Sequence, residues 1–129
     1  MTKNFTMNNN IFIYDTYAIV EIIEGNEKYK EYIDKEIRIN DFIFAELSYI
    51  LLRKNYPKAD FYLSRYKKYI LHVNPESIKK AMKFRYENKE TRMSTTDCIS
   101  YFQAKELGIK FLTGDKEFED LENVEFVKK

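Results

Sequence analysis

The chain has 129 residues, 44% of them hydrophobic and 16% aromatic, and its 22 basic and 21 acidic side chains leave a formal charge of +1. That length suits one domain over residues 1–129, and 11 Tyr and 10 Phe supply enough apolar surface for a core, which excludes compositional disorder. The balanced charge gives no global field for a polyanion, the lone Cys98 excludes an internal disulfide, no Cys/His spacing suits zinc, and no apolar run spans a membrane.

The opening MTKNFTMNNN has no apolar leader-like segment, so the cytoplasm is the expected compartment. Ile11, Phe12, Ile13 and Tyr14 form a continuous apolar run that predicts a strand buried on both faces, with Asp15 at its C-terminal end. Helical spacing of Ile19, Val20, Ile22 and Ile23 predicts a helix over 16–24, stopped at Gly25. A second helical stretch is expected over 27–35 and a short extended piece over 37–39. Asn40 or Asp41 can cap the next helix, whose apolar stripe reads as Phe42, Leu47, Ile50 and Leu51. Glu46 falls on or beside that stripe, where a carboxylate needs a partner.

Pro57 suits the first position of a helix over 58–69, a strand follows at 70–73, and Pro75 opens a basic helix over 76–88. Residues 90–93 are polar loop. Ser94-Thr95-Thr96-Asp97 has capping-box spacing and starts a helix that runs through Ile99, Phe102, Ala104 and Leu107 to a stop at Gly108. A strand over 110–113, a turn at Gly114-Asp115 and a last strand over 124–127 complete the chain. Strands alternating with helices predict an α/β fold with a parallel sheet covered on both faces, and in such folds ligands sit at the C-terminal ends of the strands.

Four acids are candidates for chemistry: Asp15, Glu46, Asp97 and Asp115. Each also has a structural reading, since Asp15 can cap a helix, Asp97 can close a box with Ser94, Asp115 can serve a turn, and Glu46 can be paired. The motifs around them decide between the two. IFIYDTYAIVEII resembles the opening motif of the PIN-domain family, which makes Asp15 its first metal carboxylate; DFIFAELSYILLRK resembles the second motif, which makes Glu46 the next. STTDCISYFQAKELGIKFLTGDKEFEDLENVEFV is similar to the family's C-terminal block, giving Asp97 and Asp115 as third and fourth carboxylates and Thr113 as its usual hydroxyl.

The resemblance implies a three-layer α/β/α fold around a mainly parallel sheet, with the four acids in one pocket that binds Mg²⁺ or Mn²⁺. It implies an endoribonuclease of the VapC toxin type, acting on single-stranded or structured RNA, with a cognate antitoxin protein as partner and a homodimer as assembly. A housekeeping RNA-processing nuclease and a non-catalytic scaffold are the alternatives. The donor types agree, because carboxylates without His or Cys suit a hard divalent cation and not zinc. Asp15 and Asp97 are expected as direct ligands, Asp115 as ligand or orienter, Glu46 as second ligand or water positioner. Glu119 and Asp120 read as surface charge on a short final helix.

His72 sits in the apolar 70–73 strand and reads as structural, and Cys98 as a small buried side chain. RNA contact is expected from at least one of three basic clusters: Arg53 with Lys54, Arg65-Tyr66-Lys67-Lys68, or Lys79, Lys80, Lys83 and Arg85 with Phe84 and Tyr86. A haloacid dehalogenase would place a second acid where this chain has Tyr17, and the acid pair and strand-end Lys of a response-regulator receiver are not recognisable.

Overall fold

The computed structural model describes residues 10–128. The reading of the first residues as free of a leader-like segment therefore falls, for 1–9, outside the described residues. Strands β1 (Ile11–Tyr14), β2 (Glu36–Arg38), β3 (Lys110–Thr113) and β4 (Val124–Phe126) form one sheet in the order β2-β1-β3-β4, with every pairing parallel. The helices are α1 (Thr16–Ile23), α2 (Asp41–Arg53), α3 (Ala59–Tyr66), α4 (Pro75–Glu87) and α5 (Thr95–Leu107). This is the α/β fold expected, with helices on both faces of a central sheet.

Parallel register explains the two covered faces. Ile13 pairs with Phe111, so both point the same way, and there Phe111 meets Tyr101 of α5 and Phe118 with ring centroids 6.4 and 5.6 Å away. Phe12 and Tyr14 point to the opposite face, where Phe12 packs edge-on against Tyr32 at 5.7 Å and the Tyr14 hydroxyl donates to the Tyr32 carbonyl at 2.6 Å. Burial on both sides is why β1 reads as an unbroken apolar run. Among the described residues no helix is long and apolar enough to cross a membrane.

The helix ends follow their caps. Asn40 caps α2 by accepting from the Ile43 amide, Asn74 with Pro75 opens α4, and Ser94 opens α5 by accepting from the Asp97 amide at 3.0 Å. Gly108, at φ +71°, gives α5 its left-handed stop.

Four expectations change. Residues 27–35 form a 3₁₀ helix over Glu27–Tyr32, where Tyr29 and Tyr32, three apart, both reach the core as that tighter period requires. Phe42 is exposed, and the stripe of α2 is Ile43, Leu47, Ile50 and Leu51. Pro57 lies in the turn before α3, which ends at Tyr66 and tightens into a 3₁₀ turn over Lys67–Tyr69. Residues 70–73 are not a strand: Ile70 makes one parallel bridge, to Ile39, and pairing stops because Asn40 already begins α2.

Candidate active site

The C-terminal ends of β1 and β3 are neighbours, and the site grows from that adjacency. Asp15 leaves β1 with its amide bonded to the Leu112 carbonyl at 2.9 Å and its side chain turned back to cap α1. Its Oδ1 accepts from the Ala18 amide at 2.6 Å and its Oδ2 from the Thr113 hydroxyl at 2.5 Å. Asp15 is 3% exposed and Thr113 fully buried, so this short hydrogen bond fixes the carboxylate between the two strands. Thr113 Oγ1 also accepts from the Asp115 amide at 3.1 Å, and Asp115 Oδ1 accepts from the Glu117 amide at 3.0 Å, capping a 3₁₀ turn over Lys116–Phe118.

Glu46 enters from α2. Its partner is Thr16, directly after Asp15, whose hydroxyl donates to Glu46 Oε1 at 2.7 Å. Asp97, in the first turn of α5, enters from the other direction. All four acids line one cleft of about 500 Å³, together with Tyr17, Arg92, Ser94, Gly114, Lys116 and Glu117.

Electrostatics follow from this crowding. Burial pushes the Asp97 carboxyl up to about 8, and the charges of Asp15, Asp115 and Glu46 push the same way against the opposing Ser94 hydrogen bond. Among the described residues no three His, Cys, Asp or Glu side chains stand close enough to hold an ion as they are. The donor set is all oxygen. It fits a hard divalent ion such as Mg²⁺ and gives zinc none of its usual nitrogen or sulfur ligands.

Thus Asp15, Glu46, Asp97 and Asp115 come together, with Thr113 behind Asp15. Glu119 and Asp120 are exposed and outside the cleft, in a turn after the 3₁₀ segment and not on a final helix, whereas Glu117 lines it. His72 lies in irregular chain beside a separate cavity with Leu71, Asn74 and Gln103. Cys98 is buried, and burial with the nearby Asp97 charge pushes its thiol up to about 11, so it stays an unreactive thiol.

The basic clusters separate. Arg53 borders a cavity adjoining the acids, while Lys54 pairs with Glu24 at 3.0 Å. Arg65 faces a groove with Tyr62 and Tyr66, Lys79 and Lys83 pair along α4 with Glu76 and Glu87, and Arg85 Nε donates to the Met93 carbonyl at 3.1 Å. Sequence reasoning missed Thr16, Glu117, Arg92 and Lys116. Position gives a signal for three of them: Thr16 follows a strand-end acid, and Lys116 and Glu117 follow Asp115.

The family model of the PIN domain matches residues 12–124, a span that holds all four acids. The chain belongs to the PIN-domain family. Among solved structures, this PIN domain is similar to VapC20 of Mycobacterium tuberculosis, a sarcin–ricin loop cleaving toxin, with 18% identity and a TM-score of 0.73 over 91% of this chain and 98% of that one. A toxin–antitoxin complex from Klebsiella pneumoniae matches at 16% identity and TM-score 0.70, over 88% of this chain and 95% of that chain. VapBC2 from Rickettsia felis, bound to a DNA fragment from their promoter, matches at 21% and 0.67, over 92% and 98%. At these identities the likeness is one of fold. No curated protein matches the sequence.

Proposed function

We propose that this PIN domain, taken as one unit over residues 1–129, is a divalent-metal-dependent endoribonuclease that acts as the toxin of a type II toxin–antitoxin pair. One observation carries the reading: acids from four separate parts of the chain meet in one cleft, where burial and their mutual repulsion raise Asp97 to about 8. Acids kept only as caps and turn residues have no cause to gather at a shared cost.

Asp15, Glu46, Asp97 and Asp115 would hold Mg²⁺ or Mn²⁺. Such an ion, when bound, neutralises phosphate charge and lowers the pKa of a water to that of a usable nucleophile. The protein's part is preorganisation. Asp15 is already aimed by the Ala18 amide and the Thr113 hydroxyl, and Glu46 by the Thr16 hydroxyl. Asp97 would release its proton to solvent on holding a cation, so acidification would oppose binding. Arg92 and Lys116 on the cleft wall offer charge to the phosphates of RNA.

The toxin role is supported by the company the fold keeps: a toxin–antitoxin complex, a toxin that cuts the sarcin–ricin loop, and VapBC2 on promoter DNA. With that role go an RNA substrate, single-stranded or structured, an antitoxin protein as partner, a homodimer as assembly and the cytoplasm as the working compartment. Purified protein is expected to cleave RNA with Mg²⁺ or Mn²⁺ and to stop when EDTA is added. Folded protein that cuts no RNA with either ion refutes the nuclease. Cleavage without growth arrest on expression refutes the toxin and leaves a processing enzyme.

A further inference from the structure

Beside the acidic cleft lies a second cavity of about 360 Å³, lined by Tyr17, Ala45, Glu46, Tyr49, Ile50 and Arg53. It shares Tyr17 and Glu46 with the cleft, so the two are compartments of one groove. Its volume lies within the roughly 300–1,000 Å³ of small-ligand sites. Tyr17 is 40% exposed and Tyr49 63%, so two aromatic rings from adjoining helices are open to solvent at one cavity. Tyr49 and Arg53 are one helical turn apart on α2, with the guanidinium carbon 5.8 Å from the ring centroid.

We propose that Tyr17, Tyr49 and Arg53 form a stacking subsite for the base of the nucleotide next to the phosphate that is cut in single-stranded RNA. The inference rests on the nuclease reading and adds to it a place for the neighbouring nucleotide. The chemistry selects such an occupant. Ala45 and Ile50 give an apolar floor, the two tyrosines give π faces that accept any base, and Arg53 supplies a cation for a stacked ring or its phosphate. A strand seated there passes directly to the acids, because Glu46 is common to both compartments. Positive charge then stands in each compartment, on Arg53 in one and on Arg92 and Lys116 in the other. Backbone phosphates thereby stay attached on both sides of a centre that is itself acidic.

The test uses Asp97→Asn as the parent, since it removes one of the proposed ligands and is expected to bind without cutting. The probe is a fluorescently labelled single-stranded RNA, followed by anisotropy. Tyr49→Ala is expected to weaken binding by about 5- to 150-fold, the range for loss of one stacked base, while Tyr49→Phe stays within about twofold. An abasic nucleotide moved along the strand should weaken the parent at one position and leave Tyr49→Ala unaffected there, because ring and base are partners in one interaction. Exposure of Tyr49 leaves the core intact, and unchanged thermal midpoints check this. Arg53→Gln, expected to weaken binding and reduce its salt dependence, is the second variant.

RNA affinity in Tyr49→Ala equal to the parent's overturns the proposal, and so does a Tyr49→Ala that only disturbs self-association. The two readings fail separately. Affinity that depends on Tyr49 in a protein whose native form cuts no RNA keeps the subsite and removes the nuclease; cleavage with no dependence on Tyr49 does the reverse.

Discussion

Asp15 begins α1 and Asn40 begins α2, both buried, both at the entry to a helix, and both accepting from an amide three residues on. The rest of their hydrogen bonding separates them. Asn40 Nδ2 donates to Ser100 Oγ at 3.0 Å and to Gln103 Oε1 at 2.9 Å, and Gln103 Nε2 reaches the carbonyls of Leu71 and His72. That network is neutral and closed, each group answering another, as buried polar groups in a stable core do. Asp15 is bonded too, yet it faces a cleft of like charge that raises a neighbour's affinity for protons. A helix cap is thus no sign of a purely structural residue. What marks function is a polar group whose surroundings oppose the charge it carries.

The largest expected effect breaks the acidic side of this comparison. Asp97→Asn should lower RNA cleavage by at least about a hundredfold, because loss of an outer partner alone costs 10- to 100-fold and this group would be a ligand. The metal-free variant should melt no lower than the parent at neutral pH, where Asp97 is held protonated, and higher above about pH 8, where the parent carries the repelling charge. A destabilised variant that still cleaves would show Asp97 to be only a cap. On the neutral side, Asn40→Ala should cost about 2 kcal/mol of stability through the lost cap and the unanswered Ser100 and Gln103, measured by denaturant unfolding. Its cleavage rate per folded molecule should hold, and loss of activity in fully folded protein would make Asn40 part of the site.

Thr113→Val sharpens the contrast by loosening Asp15 without changing charge. Magnesium affinity, read by titration of cleavage, should fall about tenfold, the low end for an orienting partner. A separate effect is on pH. Asp97 binds its proton more tightly folded than unfolded, being raised from 3.8 to about 8, so the folded state holds more protons across that interval. Metal-free protein should therefore lose stability as pH rises from about 4 to 8 and level off above, while Asp97→Asn loses less. Equal slopes in the two proteins would remove Asp97 as the source.

The sequence was readable where local chemistry decides and opaque where a partner does. Ser94, Asn74-Pro75 and Gly108 each carry their cap in their own side chain or backbone freedom, so the ends of α4 and α5 fall where expected. Residues 70–73 have the composition of a strand, yet a strand needs a neighbour, and among the described residues the one that Ile70 meets is Ile39, where the extended chain ends. Phe42 and Ile43 are both apolar and adjacent, and the helical period decides between them: Ile43, Leu47, Ile50 and Leu51 fall at i, i+4, i+7 and i+8, which leaves Phe42 off the stripe. At the site, the four acids are visible through their motifs. Thr16, which orients Glu46 from 30 positions away, and Arg92, which comes from a polar loop, are visible only once the chain is folded.

The bond from Thr113 to Asp15 joins residues 98 apart, across two strands that lie side by side at the centre of the sheet. Synthesis on the ribosome adds about 5–20 residues each second, so roughly 5–20 s separate the making of the two halves of that bond. Throughout that interval β1 lacks its inner neighbour, and Asp15 lacks the hydroxyl that holds it. Parallel strands so distant along the chain also pair late, because a long loop must close first. On the nuclease reading proposed above, the nascent polypeptide therefore has no finished cleft to turn on the messenger or the ribosome that are making it. A transcript broken before the codon for Thr113 yields a chain with no means of completing the cleft, so the topology itself acts as a delay on any hydrolysis it performs.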